Sequence, residues 1–317
     1  MSTICYSGCS MMSNTTISMK YYELLNFKRE PFASSPDPAL FYLSAQHRSC
    51  LQQLELVIRL RRGLAVVVGE VGTGKTTLWR RLLQLMGSGP GNDGSMLIRL
   101  FLDPEFNSGR EFMIAIAASF GLPEEEAEKM ANGELRGWIK SFLLKKGGKE
   151  GKSVLLIIDE GQKLSLPCLE VLRELLNYET NERKLIQVLI FAQEEFEDQL
   201  EQVAYFQDRI AYFTRLLPLN FRETRELIRH RLWRSWARPE QMRPTFTLPA
   251  LWLIYRHSRG YPRRIVILCS HVFVSFVALY RQAEGGMGKI RAGLVRRCRR
   301  QVRSREIVAE NKRRASR

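Results

Sequence analysis

The sequence predicts an α/β fold: a five-stranded parallel sheet with helices on both faces, followed by a small all-helical unit. Three observations carry this prediction. Short, continuous apolar runs alternate five times with helical stretches, the pattern of parallel strands buried on both faces. The runs stop after Asn220, and only helical periodicity follows. A glycine-rich turn, GEVGTGKTT, links the first run directly to the helix behind it.

Residues 1–18 are polar and aperiodic, which predicts disorder or an extension upstream of a natural start at Met19. They lack the basic and apolar regions of a signal peptide. An amphipathic stretch, MKYYELLNF, begins at Met19 and runs into the Pro-rich connector REPFASSPDP; Ser44 then caps a helix over 45–62. Strands are expected in the runs starting at Gly63, Ser95, Ser153, Leu185 and Ala211, with helices over 75–86, 109–120, 124–146, 167–178 and 194–204 between them. Helices over 222–236, 248–257, 262–281 and 289–309 complete the chain. The expected division is a core over 19–220, a helical lid over 221–285, and a basic helix and tail over 286–317.

A chain of 317 residues, 45% hydrophobic, can bury one large core and a smaller second one. The formal charge of +16 is uneven: residues 281–317 carry +10 and residues 222–264 carry +8, so the remainder is slightly acidic. Six cysteines without metal spacing predict a reduced, cytoplasmic protein. The longest apolar run, 265–280, falls short of the roughly 20 residues a membrane helix needs, so a buried helix and no membrane span are expected. His230, His257 and His271 have no neighbouring ligand types and are read as structural.

The strongest chemical signal is Gly69-Glu70-Val71-Gly72-Thr73-Gly74-Lys75-Thr76-Thr77, which matches GxxxxGK[ST] between a strand and a helix. Glycines at these positions let backbone N–H groups cradle phosphates at a helix N-terminus. Lys75 is expected to neutralise the γ-phosphate of ATP, and Thr76 to ligand Mg²⁺. The second signal is VLLIIDE. A carboxylate at the end of a buried strand beside the phosphate-binding strand can hold the Mg²⁺ water shell, a role for Asp159, and Glu160 can activate the attacking water. An acidic pair ending a strand can also merely cap the next helix. Phe41, Tyr42 and His47 fall in a segment expected near the adenine, or serve only as a buried anchor.

The segments YYELLNFKREPF, GEVGTGKTTL, LLIIDEGQKL, LIFAQEEFEDQL, DRIAYFTRLLPL, HRL and GYPRRIVILC occur in the order and spacing of the bacterial secretion-pathway protein A (ExeA-like) AAA+ ATPases. The chain resembles that family over about residues 19–279, and through it the target-selection ATPases of transposons. The resemblance implies a five-stranded AAA+ core with a helical lid, a homo-oligomer, and three further site residues. Gln193 is implied as the polar residue sensing the γ-phosphate, although Ala192-Gln193-Glu194 replaces the family's usual Gly-Gln-Pro. Arg209 is implied as an arginine finger acting on a neighbouring subunit's ATP, with Arg215 as its rival. Arg263 is implied as the lid arginine aimed back at the nucleotide, with Arg264 as the alternative. Family members continue into a membrane span and a peptidoglycan-binding region, which this sequence does not include.

Two functions are therefore expected from different classes. One is an ATP-driven oligomeric switch acting on an unidentified protein partner in secretion-type assembly. The other is a DNA-associated adaptor using its basic C-terminal region, where contact would be electrostatic because no sequence-reading motif is present.

Overall fold

A computed structural model describes residues 21–33, 38–87, 96–180, 183–237, 244–282 and 288–299. The expected disorder of 1–18 and the tail beyond 299 lie outside these residues. The strands are β1 (Leu64–Val68), β2 (Met96–Phe101), β3 (Ser153–Ile158), β4 (Ile186–Ala192) and β5 (Ile210–Arg215), all parallel, in the order β2-β3-β4-β1-β5. One expectation is corrected: β3, which ends in Asp159, is not beside β1, because β4 lies between them. Local sequence cannot set strand order, which is decided by the crossovers and by which faces the helices cover.

Every residue of β1, β3 and β4 is buried. Alternate side chains divide between two cores. Val66, Leu156 and Ile190 pack with Phe112, Ile139 and Leu172 of the helices on one face, and Val67, Ile157 and Phe191 pack with Leu54 and Leu78 on the other. This two-sided burial is why the strands read as unbroken apolar runs. Gln187, fully buried in β4, is satisfied by accepting from Gly63 N at 2.7 Å.

The helices of this unit are α1 (Ala45–Arg59), α2 (Lys75–Gly87), α3 (Gly109–Ser119), α4 (Glu124–Lys129), α5 (Asn132–Leu143), α6 (Leu166–Leu176), α7 (Glu195–Glu201) and α8 (Ala204–Gln207). The single helix expected over 124–146 is broken: Met130 and Ala131 are extended, and Glu134 accepts from Ala131 N at 2.8 Å to start α5 afresh. The helix expected over 194–204 ends early, at Glu201, as α7, and a separate short α8 starts at Ala204.

The helical unit contains α9 (Phe221–Ser235), α10 (Leu248–Ser258), α11 (Pro262–Gln282) and a helix over 292–299. Asn220 and Glu223 form a reciprocal cap that starts α9 as the chain leaves the sheet. Leu219 N donates to Gly260 O at 2.9 Å, and a Cβ on Gly260, whose φ is +79°, would sit 2.0 Å from Leu219 O. Only glycine allows the two units to join so closely.

The division expected at 220 does not describe the packing of the first segment. Leu25, Phe27 and Phe32 are buried with α9, α10 and α11, and the Phe27 ring meets Trp236 at 4.7 Å and Phe273 at 5.2 Å. Ile290, Val295 and Cys298 belong to the same core. Within α11, Pro262–Leu279 is long and apolar enough to cross a membrane, and here Ile265, Cys269, Val272 and Phe273 are buried in this core.

Candidate active site

The glycine turn follows β1 directly and leads into α2. A Cβ on Gly69 would lie 2.7 Å from Leu216 O, while Gly72 and Gly74 have φ of +90° and +109°. Thr73 stays buried by closing the turn, its N–H and hydroxyl both donating to Glu70 O. The resulting concave backbone is a cradle that side chains would fill, which is the fit a polyphosphate requires. Lys75 is 7% exposed and donates from Nζ to Gly69 O at 2.5 Å and Glu70 O at 3.2 Å. Burial holds its pKa below the ordinary lysine value, against the opposing pull of Glu160, Asp159, Glu195 and Glu194.

Although β4 separates their strands, α2 packs on the sheet face over β1, β4 and β3, through Leu78, Trp79 and Leu82, and brings the second motif to the first. Thr76 Oγ1 donates to Asp159 Oδ2 at 2.9 Å, and Trp79 Nε1 donates to the same oxygen at 2.9 Å. Asp159 Oδ1 accepts from Glu160 N at 3.1 Å. A hydroxyl and one carboxylate held this way are hard oxygen donors that would suit Mg²⁺ bound together with a nucleotide. Among the described residues no group of three or more His, Cys, Asp or Glu could hold a metal unaided. The protein's share of such a site is therefore Thr76 and Asp159, with the remaining ligands coming from nucleotide and water.

Glu160 has the left-handed φ of 54°, uncommon and costly for a side chain of its size. Oε2 accepts from Gln162 Nε2 at 2.6 Å and Gln193 Nε2 at 3.2 Å. Gln162 also accepts from Gln193 N at 2.9 Å, and its own carbonyl accepts from Gln199 at 3.0 Å. Gln193 thus lies beside Glu160, and Gln162 joins the ends of β3 and β4. Sequence reasoning missed Gln162 and Trp79, because neither belongs to a recognisable spacing.

Arg263 sits at the start of α11, and its N–H donates to Gly72 O at 3.2 Å. The Arg264 guanidinium stacks 4.6 Å from the Tyr261 ring. The carboxylate of Glu70, hydrogen-bonded to the Tyr261 phenol, pushes its pKa up. Between the two candidates, the backbone of Arg263 is the one on the glycine turn. Arg209 is exposed at the N-terminal end of β5, whereas the cradle lies at the C-terminal end of β1. A six-residue strand at about 3.3 Å per residue separates the levels, so Arg209 does not reach the cradle of its own chain. Arg215 is at the cradle level but pairs with Glu197 at 2.5 Å.

Upstream, His47 is 1% exposed and bridges two elements: Nδ1 lies 2.7 Å from Ser44 Oγ and Nε2 lies 3.0 Å from Thr73 O. A carbonyl can only accept, so Nε2 carries the proton and Nδ1 accepts from the Ser44 hydroxyl. Phe41 packs edge-on to His47 at 5.3 Å, and with Tyr42, Arg48, Arg81, His230 and Arg234 it lines a cavity of about 570 Å³. Burial lowers the His47 pKa from its ordinary 6.5. The neutral ring is thus favoured on folding, and this contribution is full above pH 6.5 and lost as pH falls through the lowered folded value. Thermal unfolding of the chain should show Tm falling below pH 6.5 by about 2–4 °C per kcal/mol lost. The His47→Gln variant should show a smaller acid-side fall, and parallel curves would remove His47 as the cause.

The described Cys50, Cys168, Cys269 and Cys298 are free and buried. The sequence matches the AAA domain model over residues 58–200. It is 32% identical over 260 residues to general secretion pathway protein A of Aeromonas hydrophila, a match covering 81% of this chain and 45% of that protein. The chain thus spans less than half the length of this relative. Among solved structures, the fold is similar to the ORC1 protein of Aeropyrum pernix in complex with DNA, with a TM-score of 0.60, 15% identity, and 86% and 69% of the two chains covered. It is also similar to the ORC2 protein of the same organism, with a TM-score of 0.58, 18% identity and coverage of 86% and 71%. At these identities the structural likeness speaks for the fold alone. Taken together, the glycine cradle, the strand end carrying Asp159 and Glu160, and the match to the AAA domain model show an AAA+ type P-loop ATPase domain over residues 58–200, in a chain similar over four-fifths of its length to general secretion pathway protein A.

Proposed function

We propose that the chain binds ATP with Mg²⁺ in the cradle and hydrolyses it as one subunit of a homo-oligomeric switch. The observation that carries this reading is the 2.9 Å contact between Thr76 and Asp159, which unites two motifs 83 residues apart at one point. Lys75 and the backbone N–H groups of residues 72–76 hold the β- and γ-phosphates, and Thr77 follows them toward the α-phosphate. Thr76 and Asp159 hold Mg²⁺, which supplies charge neutralisation on the phosphates. Glu160 accepts the proton of the attacking water, and Gln193 positions that water. The base and ribose extend toward the cavity lined by Phe41 and Tyr42. Because the Arg263 N–H rests on Gly72 O, a change in the glycine turn on nucleotide binding is passed to α11 and the helical unit.

Arg209 supplies the subunit dependence. Its exposure, and its distance from its own cradle, leave a neighbouring subunit's nucleotide as the one it can meet, where a planar permanent charge stabilises the transferring phosphoryl. Specific ATPase activity should therefore rise with protein concentration. Arg209→Ala should lower the plateau by about 10²-fold or more while leaving nucleotide binding intact. Activity that stays flat across dilution, measured beside light scattering, would remove the trans role. The same experiment on Arg215→Ala decides between the two arginines. The process served is proposed to be secretion-type assembly in the cytoplasm, from the likeness to general secretion pathway protein A.

A further inference from the structure

We propose that the outer face of the helical unit, formed by α10 and the helix over 292–299, binds the phosphate backbone of a nucleic acid. The inference is independent of the ATPase reading and uses none of its residues. It narrows the DNA contact expected of the basic C-terminal region to the folded helix over 292–299 and joins α10 to it.

The geometry of this face follows from three contacts. Thr247 N donates to Ile290 O and Ile290 N donates to Thr245 O, which fixes the start of the last segment beside the N-terminus of α10. Val295 and Cys298 are buried, with Cys298 Sγ 3.3 Å from Ser275 Oγ of α11. At the far end Arg299 faces His257, whose pKa is lowered by burial and then by Arg299 and Arg256. The helix over 292–299 therefore runs alongside α10 with its buried edge on α11. Arg296, Arg297 and Arg299 of this helix are exposed, as are Trp252 and Arg256 of α10, and Arg299 and Arg256 both act on His257.

Charge identifies the occupant. Residues 245–259 and 288–299, which build this face, contain six arginines and one lysine and no aspartate or glutamate, so these segments supply no counter-ion of their own. Arginine forks pair with phosphate oxygens through two hydrogen bonds, a geometry that suits a nucleic-acid backbone. Trp252 is 47% exposed, with the Arg256 guanidinium 5.3 Å from its ring, and it offers a flat surface on which a base can stack. An anionic membrane is the less favoured partner, because the large apolar side chains that α10 exposes are Leu248 and Trp252 alone among the described residues.

The test is fluorescence anisotropy of the full chain with a labelled duplex and a labelled oligo-dT strand across a salt series. Binding should weaken linearly with log salt, with a slope near −4 if about four or five phosphates are neutralised. Arg256→Glu with Arg299→Glu should lower duplex affinity at least tenfold and reduce the slope, with basal ATPase activity unchanged as the control for folding. If that variant misfolds, Arg296→Gln with Arg297→Gln should give a smaller loss of the same sign. Trp252→Ala should weaken oligo-dT binding more than duplex binding. The proposal is overturned if the charge variants bind with parental affinity and slope. Failure to retain duplex or oligo-dT at low salt also overturns it, as does a preference for phosphatidylglycerol vesicles over both.

Discussion

Replacing Lys75 by Ala should abolish ATP hydrolysis, with phosphate release falling by about 10²–10³-fold or more, and should also weaken ATP binding. Lys75 is the cation of the cradle, and its Nζ now satisfies itself on Gly69 O and Glu70 O. Those carbonyls are the partners a nucleotide must displace, so binding exchanges two neutral acceptors for a triphosphate, a much stronger interaction for an ammonium. Folding should not suffer, because a lysine with burial-depressed pKa already costs stability. Tm equal to or above the parental value together with lost turnover is the expected pair of results. Lys75→Arg should be almost as inactive, since the larger planar head does not fit a site only 7% exposed. Parental turnover in Lys75→Ala would mean that the glycine turn does not hold the phosphates.

Glu160→Gln should separate binding from chemistry. The substitution preserves shape, and its amide oxygen can still accept from Gln162 and Gln193, which now hold Oε2 at 2.6 and 3.2 Å. ATP affinity should therefore stay within a few fold of the parent. The amide cannot take a proton from water, so kcat should fall by about 10²–10⁴-fold, the range of a lost general base. Filter retention of labelled ATP with no release of labelled phosphate would report the trapped state. A variant that lost binding and turnover together would place Glu160 in a structural role. Gln162→Ala offers a graded comparison: it frees one side of the carboxylate and should lower kcat without removing the base.

Much of the α/β unit is legible in the amino-acid sequence, because its chemistry is local. A strand buried on both faces is apolar at nearly every position, with Ser153 and the hydrogen-bonded Gln187 as exceptions, so LAVVV, SVLLII and IQVLIFA announce β1, β3 and β4. A phosphate cradle needs glycines where φ is positive or where a Cβ would clash, so Gly69, Gly72 and Gly74 announce the turn. The edge strand β5 is legible too, since its alternating exposure still leaves an apolar side for α1. The break between α4 and α5 is less so: the apolar period continues through it, and the interruption comes from Glu134 capturing the Ala131 N–H.

By itself, then, the sequence determined most of the elements and the glycine turn, and it singled out Lys75, Thr76, Asp159 and Glu160. Each of these depends on neighbours within a few residues, through backbone dihedrals, helix starts and side-chain periodicity. Only the tertiary structure decided that β4 separates β1 from β3, and that Trp79 and Thr76 meet on one oxygen of Asp159. It alone placed Gln162 between two strand ends, His47 on the carbonyl of Thr73, and Phe27 and Phe32 in the core of the helical unit. These arrangements join residues far apart in the chain. Their energies depend on which surfaces exclude water together, and no local pattern of residues encodes that choice.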